Sequence, residues 1–150
     1  MIAISPPSAE DHKWGSLSFA STLYLYPILD LLLVRVPSQW RPELRLGLQE
    51  ALVNAAKHGN NLDPTKDISV RFLVEEDRYW WIISDQGGGF DYTCGCQSKC
   101  DPDIGQDIEE CGRGLYILHQ IFDEVRWTRE GAELQLCKQF NCLSRAPFLV

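Results

Sequence analysis

Glu50 and Asn54 stand four residues apart in the segment Glu50-Ala51-Leu52-Val53-Asn54-Ala55-Ala56-Lys57-His58-Gly59-Asn60, and on a helix that spacing stacks two side chains one turn apart. A carboxylate and a carboxamide are thus brought together on one face of that helix. Further along the chain comes Asp85-Gln86-Gly87-Gly88-Gly89-Phe90-Asp91, and then Gly112-Arg113-Gly114-Leu115 before an apolar stretch. Glycines let a backbone approach a flat ring closely, and a glycine-rich helix start offers N–H groups to phosphate oxygens. Each piece alone is weak, since an acidic residue before glycine is a common turn and any amphipathic helix has a solvated face. Their order and spacing together read as a site for ATP.

Those residues need elements to hold them. Leu44, Leu48, Ala51, Leu52 and Ala55 fall on one side of a helix expected over Glu43 to His58, with Gly59 as its stop. Glu50, Asn54, Lys57 and, where the helix persists, Asn61 cluster on the opposite side within roughly 60°. Asp67 to Val74 alternates, with Ile68, Val70, Phe72 and Val74 on one face, and Tyr79 to Ser84 returns as its hairpin partner, so Asp85 sits at a strand end. Leu17 to Leu23 reads as a strand and Tyr24 to Val34 as a buried helix with Pro27 in its first turn. Pro37 to Pro42 makes a connection. After a long loop over Tyr92 to Glu110, Leu115 to Phe122 reads as a helix, and Glu124 to Thr128 and Ala132 to Phe140 as a hairpin around Arg129-Glu130-Gly131. Met1 to Lys13, rich in proline and polar residues, is expected to be a loose arm.

Bulk properties narrow the function. The 150 residues suit one domain, 1–150. Fourteen basic against 21 acidic side chains give a formal charge of -7, which argues against a nucleic-acid footprint. The longest apolar stretch, Leu23 to Val36, is interrupted by Pro27, Asp30 and Arg35 and falls short of the ~20 residues of a membrane span. With no basic flank and apolar core at its start, the chain is expected in the cytoplasm, its partners proteins or small molecules.

From about Glu43 to Phe140 the chain resembles the ATP-binding superfamily shared by DNA gyrase, sensor histidine kinases, mismatch-repair ATPases and heat-shock chaperones. Leu48-Gln49-Glu50-Ala51-Leu52-Val53-Asn54-Ala55 with His58-Gly59-Asn60, and Gly112-Arg113-Gly114-Leu115 with Asp123-Glu124-Val125, are most similar to the bacterial anti-sigma factor serine/threonine kinases within it. The resemblance implies an α/β fold, a two-layer sandwich with helices on one face of a mixed, mostly antiparallel sheet. It implies Mg²⁺ and ATP as cofactors, with Asn54 as the Mg²⁺ ligand, Glu50 as general base and Asp85 as acceptor of the adenine amino group. Gly87, Gly89, Gly112 and Gly114 become nucleotide-loop positions, and Lys57 and Arg113 phosphate neighbours. An antagonist protein with a target serine, a sigma factor and a second copy of the chain are the partners it implies. A nucleotide-dependent binding module without kinase activity is the other reading. Two residues depart from the pattern: Cys111 stands where another glycine is frequent, and Ala132 near a frequent phosphate-contacting threonine.

Six cysteines in a chain expected in the cytoplasm do not make a secreted disulfide framework. The resemblance also implies a flexible lid over the nucleotide, and Cys94, Cys96, Cys100 and Cys111 are expected to fall in it. They could hold Zn²⁺, oxidise and lock the lid, or serve only as lid residues.

Overall fold

The computed structural model describes residues 2–5, 14–75, 77–88, 107–128 and 132–140. Strands β1 (Ala3–Ser5) and β2 (Trp14–Ala20) precede helix α1 (Tyr26–Leu33). A 3₁₀ turn, Ser38–Trp40, leads into α2 (Arg41–Asn54), which runs on into a π-turn, Ala55–Gly59. The hairpin strands β3 (Asp67–Val74) and β4 (Arg78–Ser84) follow, then α3 (Asp107–Ile121), β5 (Glu124–Thr128) and β6 (Glu133–Gln139). The strands form one sheet in the order β1-β2-β3-β4-β6-β5, and every described pairing is antiparallel.

Alternation decides which face of that sheet is covered. The register aligns Leu17, Val70, Ile83, Leu134 and Trp127 in one row and Phe72, Trp81, Leu136 and Val125 in the next. Those rows pack with Leu29, Leu32, Leu44, Leu48, Leu52, Leu118 and Phe122 of the helical segments in a single core. The expected two-layer sandwich, helices on one face, follows from this period-two pattern meeting the helical stripes. Trp81 meets Phe122 edge to face at 5.8 Å, joining β4 to the end of α3.

Lys138 breaks the apolar pattern of the inner face yet is 1% exposed. Its Nζ donates to the Ile121 carbonyl at 3.0 Å, lies 4.5 Å from the Trp40 ring and 3.9 Å from Asp123 Oδ2. A cation at the last carbonyls of a helix is favourably placed, so Lys138 fixes the C-terminal end of α3.

The outer face is polar at one end. Glu133 is buried there and accepts hydrogen bonds from Ser84 Oγ at 3.1 Å and Thr128 Oγ1 at 3.0 Å, with Arg71 at 3.6 Å. Burial pushes its carboxyl up, but Thr128, Ser84, Arg71 and Gln135 together hold it below its ordinary value. A depressed carboxylate adds stability above its unfolded value and loses it as pH falls through the folded one. Glu133→Gln is therefore expected to cost about 1–3 kcal/mol at neutral pH, a difference that shrinks on acidification. Urea unfolding across that range checks it, and a cost that stays constant into acid would refute the charge argument.

Three expectations need correction. Part of the loose arm is a strand: Ala3, Ile4 and Ser5 pair with Ser18, Leu17 and Ser16, because the edge of β2 offers unpaired backbone groups. Residues 6–13 lie outside the described residues. The connection over Pro37 to Pro42 already contains the start of α2, with Pro42 in its first turn where a missing N–H costs nothing. Helix α3 begins at Asp107, so Asp107 to Glu110 leave the expected loop and Gly112 to Gly114 lie inside the helix rather than at its start.

Candidate functional site

Glu50 and Asn54 occupy the last two turns of α2, as their spacing requires. The helix then widens into the π-turn rather than stopping: the Asn60 N–H reaches the Ala55 carbonyl at 2.9 Å. Single π-turns within helices recur at functional sites because they redirect the next side chains. Here the chain swings out through Asn61 and Leu62, both left-handed at φ 52 and 58. Asn61 therefore leaves the polar face on which a continuing helix would have put it. Lys57 remains in the π-turn, half-buried.

The turn after β4 meets this π-turn directly. Asp85 lies so close to Gly59 that a Cβ there would fall 2.2 Å from Asp85 Oδ2. Gly87 approaches equally closely, since a Cβ on it would fall 1.8 Å from the Gly59 carbonyl oxygen. Two glycines thus allow two backbones and one carboxylate to share a space that side chains would fill. Asp85 Oδ1 accepts from the Gly87 N–H at 2.8 Å, and the Asp85 N–H donates to the Ala132 carbonyl at 3.0 Å. Burial raises the Asp85 carboxyl above its usual value, against smaller opposing effects of the Gly87 N–H and the Lys66 charge.

From the other side α3 packs antiparallel to α2. Gly47 clears room for Phe122, and Gly114 faces Glu50 and Asn54: a Cβ on Gly114 would lie 3.2 Å from Glu50 Oε2 and 3.5 Å from Asn54 Nδ2. The third sequence element therefore does reach the first, but by clearance within a helix, not by free N–H groups at a helix start. Asn54 Nδ2 is buried without a hydrogen-bond partner among the described residues.

An open pocket joins these parts, lined by Ala51, Asn54, Ala55, Gly59, Ile83, Asp85, Trp127, Ala132 and Leu134. Asn54 and Asp85 share it. Glu50 stands one turn back along α2 and is not part of its wall. Ala51 and Ala55 were read as part of the apolar side of the helix, and Ile83, Trp127 and Leu134 as ordinary strand residues. Asn60, fully buried, had no assigned role. Gly89, Cys94, Cys96 and Cys100 lie outside the described residues, as do the side chains of Cys111 and Arg113. Among the described residues no group of His, Cys, Asp and Glu side chains is arranged to hold a metal, and no helix is long and apolar enough to cross a membrane.

The histidine kinase-like ATPase domain family matches residues 31–138, from α1 to β6. Serine-protein kinase RsbW of Bacillus licheniformis is 37% identical over 87 residues, covering 56% of this chain and 54% of that protein. The protein of the same name from Bacillus subtilis (strain 168) is 31% identical over 108 residues, 66% of this chain and 64% of its own length. That from Listeria monocytogenes serovar 1/2a is 29% identical over 103 residues, 66% of each. The chain thus spans 54% to 66% of the length of these relatives. With the π-turn, the Asp85 turn and α3 converging within the matched segment, the chain belongs to the histidine kinase-like ATPase domain family.

Proposed function

We propose that the chain is an ATP- and Mg²⁺-dependent protein serine/threonine kinase acting as an anti-sigma factor: it phosphorylates a serine of an antagonist protein and sequesters a regulatory partner. The observation that supports this best is that Asn54 and Asp85 line one and the same pocket. The apolar walls of Ala51, Ala55, Ile83, Trp127 and Leu134 suit the faces of a purine. Asp85, a half-buried acceptor at the wall, suits an exocyclic amine. The relatives' name, serine-protein kinase, supplies the reaction class.

Asn54 fits the implied metal. Its buried amide nitrogen has no partner among the described residues, and the two ends of an amide are told apart only by their partners. Turned over, it presents the hard oxygen that Mg²⁺ prefers. The ion, when bound, would neutralise phosphate charge. Glu50, beside Asn54 and open toward Gly114, would orient a serine hydroxyl and take its proton. Lys57 and Arg113 are proposed as phosphate neighbours, and Gly87, Gly89, Gly112 and Gly114 as positions of close backbone approach. A single domain, a cytoplasmic location and a second copy as partner belong to the same reading.

Calorimetry with Mg-ADP tests the site. Asn54→Ala is expected to remove the dependence of affinity on Mg²⁺, and Asp85→Ala to weaken binding about ten-fold or more, the worth of a hydrogen bond to a charged acceptor. Because burial raises the Asp85 carboxyl, wild-type affinity should also fall on acidification, starting at higher pH than an ordinary aspartate would set, as that acceptor protonates. Equal affinities for all three proteins would sink the site assignment.

A further inference from the structure

Asp85 owes its position to more than the two glycines. Three hydrogen bonds form a closed ring behind it. The Asn60 side-chain amide donates from Nδ2 to the Asp67 carbonyl at 3.1 Å and accepts at Oδ1 from the Gln86 N–H at 2.8 Å. The Gln86 side chain then closes the ring, its Oε1 accepting from the Asp67 N–H at 2.8 Å. Asn60 is 0% exposed, and both of its contacts are to main chain, one at the start of β3 and one in the turn that bears Asp85. Its own backbone is tied to the π-turn through the Ala55 carbonyl at 2.9 Å.

From this ring we infer that Asn60 is a positioning residue that sets base selectivity, holding the Gln86 N–H so that the preceding carboxylate of Asp85 stays against Gly59 and faces the pocket. The inference rests on Asp85 as the recogniser of a purine amino group. Apart from the close packing of the glycines, the main chain of the turn is held among the described residues by the Asp85 N–H on Ala132 and the Gln86 N–H on Asn60, with the exposed Gln86 side chain on the Asp67 N–H as a third tie. Removing the bond to Asn60 leaves only the exposed Gln86 side chain to hold that side of the turn, so Asp85 and Gln86 can shift about the Ala132 bond. A carboxylate that has moved a fraction of an ångström no longer meets an amine at hydrogen-bond distance, yet the apolar walls and the α2 residues are untouched. Loss should therefore appear in discrimination between bases more than in binding as a whole.

The selectivity is read with ADP and inosine diphosphate, which differ at position 6 of the ring, amine against carbonyl. A carboxylate placed against position 6 accepts from the amine of the first and repels the carbonyl of the second, whose neighbouring N1–H it meets only by shifting along the ring edge. Wild type is expected to prefer ADP by at least about a hundred-fold, and Asn60→Ala to reduce that preference about ten-fold, with ADP weakened and inosine diphosphate little changed. Thermal unfolding of the same variant records any general loss of stability, which would weaken both nucleotides together. Gln86→Ala removes only the exposed closing bond and is expected to lower the preference about three-fold; it supplies the answer if Asn60→Ala does not fold. An unchanged preference in the folded variants overturns the role of Asn60 while leaving Asp85 as recogniser. A wild-type preference near one instead overturns base recognition by Asp85, and this inference with it.

Discussion

Glu50→Gln is expected to bind Mg-ADP within about two-fold of wild type while phosphorylation of a partner serine falls by about 10²–10⁴, the usual worth of a positioned base. The variant keeps the size of the side chain and its place beside Gly114, where a Cβ would lie 3.2 Å from Glu50 Oε2; it removes only the charge and the basic oxygen. Glu50 is not part of the wall shared by Asn54 and Asp85, and for that reason binding and transfer should separate. The assay uses labelled ATP, Mg²⁺ and a candidate antagonist protein. Equal transfer rates in the two proteins would eliminate the general-base role. Absence of transfer by wild type to a partner it demonstrably binds would instead favour the nucleotide-dependent binding module, in which the same pocket serves only to switch affinity.

The helix bearing Glu50 and Asn54 was legible because five apolar residues recur at its period, and the β3–β4 hairpin because alternation over Asp67–Val74 leaves no other face for Ile68 and Val70. Strand β1 was not legible: three residues, Ala3–Ser5, have no period of their own and form only because β2 has an open edge. The start of α3 was misread for a different reason. Gly112 and Gly114 each disfavour a helix interior by roughly 1 kcal/mol, so local propensity points to a break. What overrides it is tertiary. Gly114 packs against Glu50 and Asn54, where a side chain would press on the Glu50 carboxylate, and Leu115 and Leu118 are buried in the core. Lys138 and Asn60 were equally hidden, since a buried lysine or asparagine is explained only by partners distant in sequence, Ile121 and Trp40 for one, Asp67 and Gln86 for the other. Local pattern thus placed the candidate residues on their elements. The contacts that aim them belong to the fold.

Gly59→Ala and Gly87→Ala should both abolish adenine recognition, yet differ in what else they damage. At Gly59 the new methyl would fall 2.2 Å from Asp85 Oδ2 and 2.3 Å from its Cγ. A carboxylate at the end of a short side chain can swing away, at the cost of its bond to the Gly87 N–H. The fold should survive with a melting temperature lower by a few degrees, since about 1 kcal/mol shifts a domain of this size by that amount. Nucleotide affinity should fall about 10- to 150-fold, the equivalent of losing a hydrogen bond to a charged acceptor. At Gly87 the methyl would fall 1.8 Å from the Gly59 carbonyl oxygen and 2.5 Å from its carbon, and backbone cannot rotate out of the way. The turn and the π-turn must separate, which costs about 1–3 kcal/mol or more of overpacking strain and opens the pocket wall. Gly87→Ala is therefore expected to lose both affinity and stability, whereas Gly59→Ala loses mainly affinity. Calorimetry paired with thermal unfolding distinguishes them, and a Gly59→Ala protein that binds ADP as wild type does would show that the Asp85 carboxylate is not where the base is read.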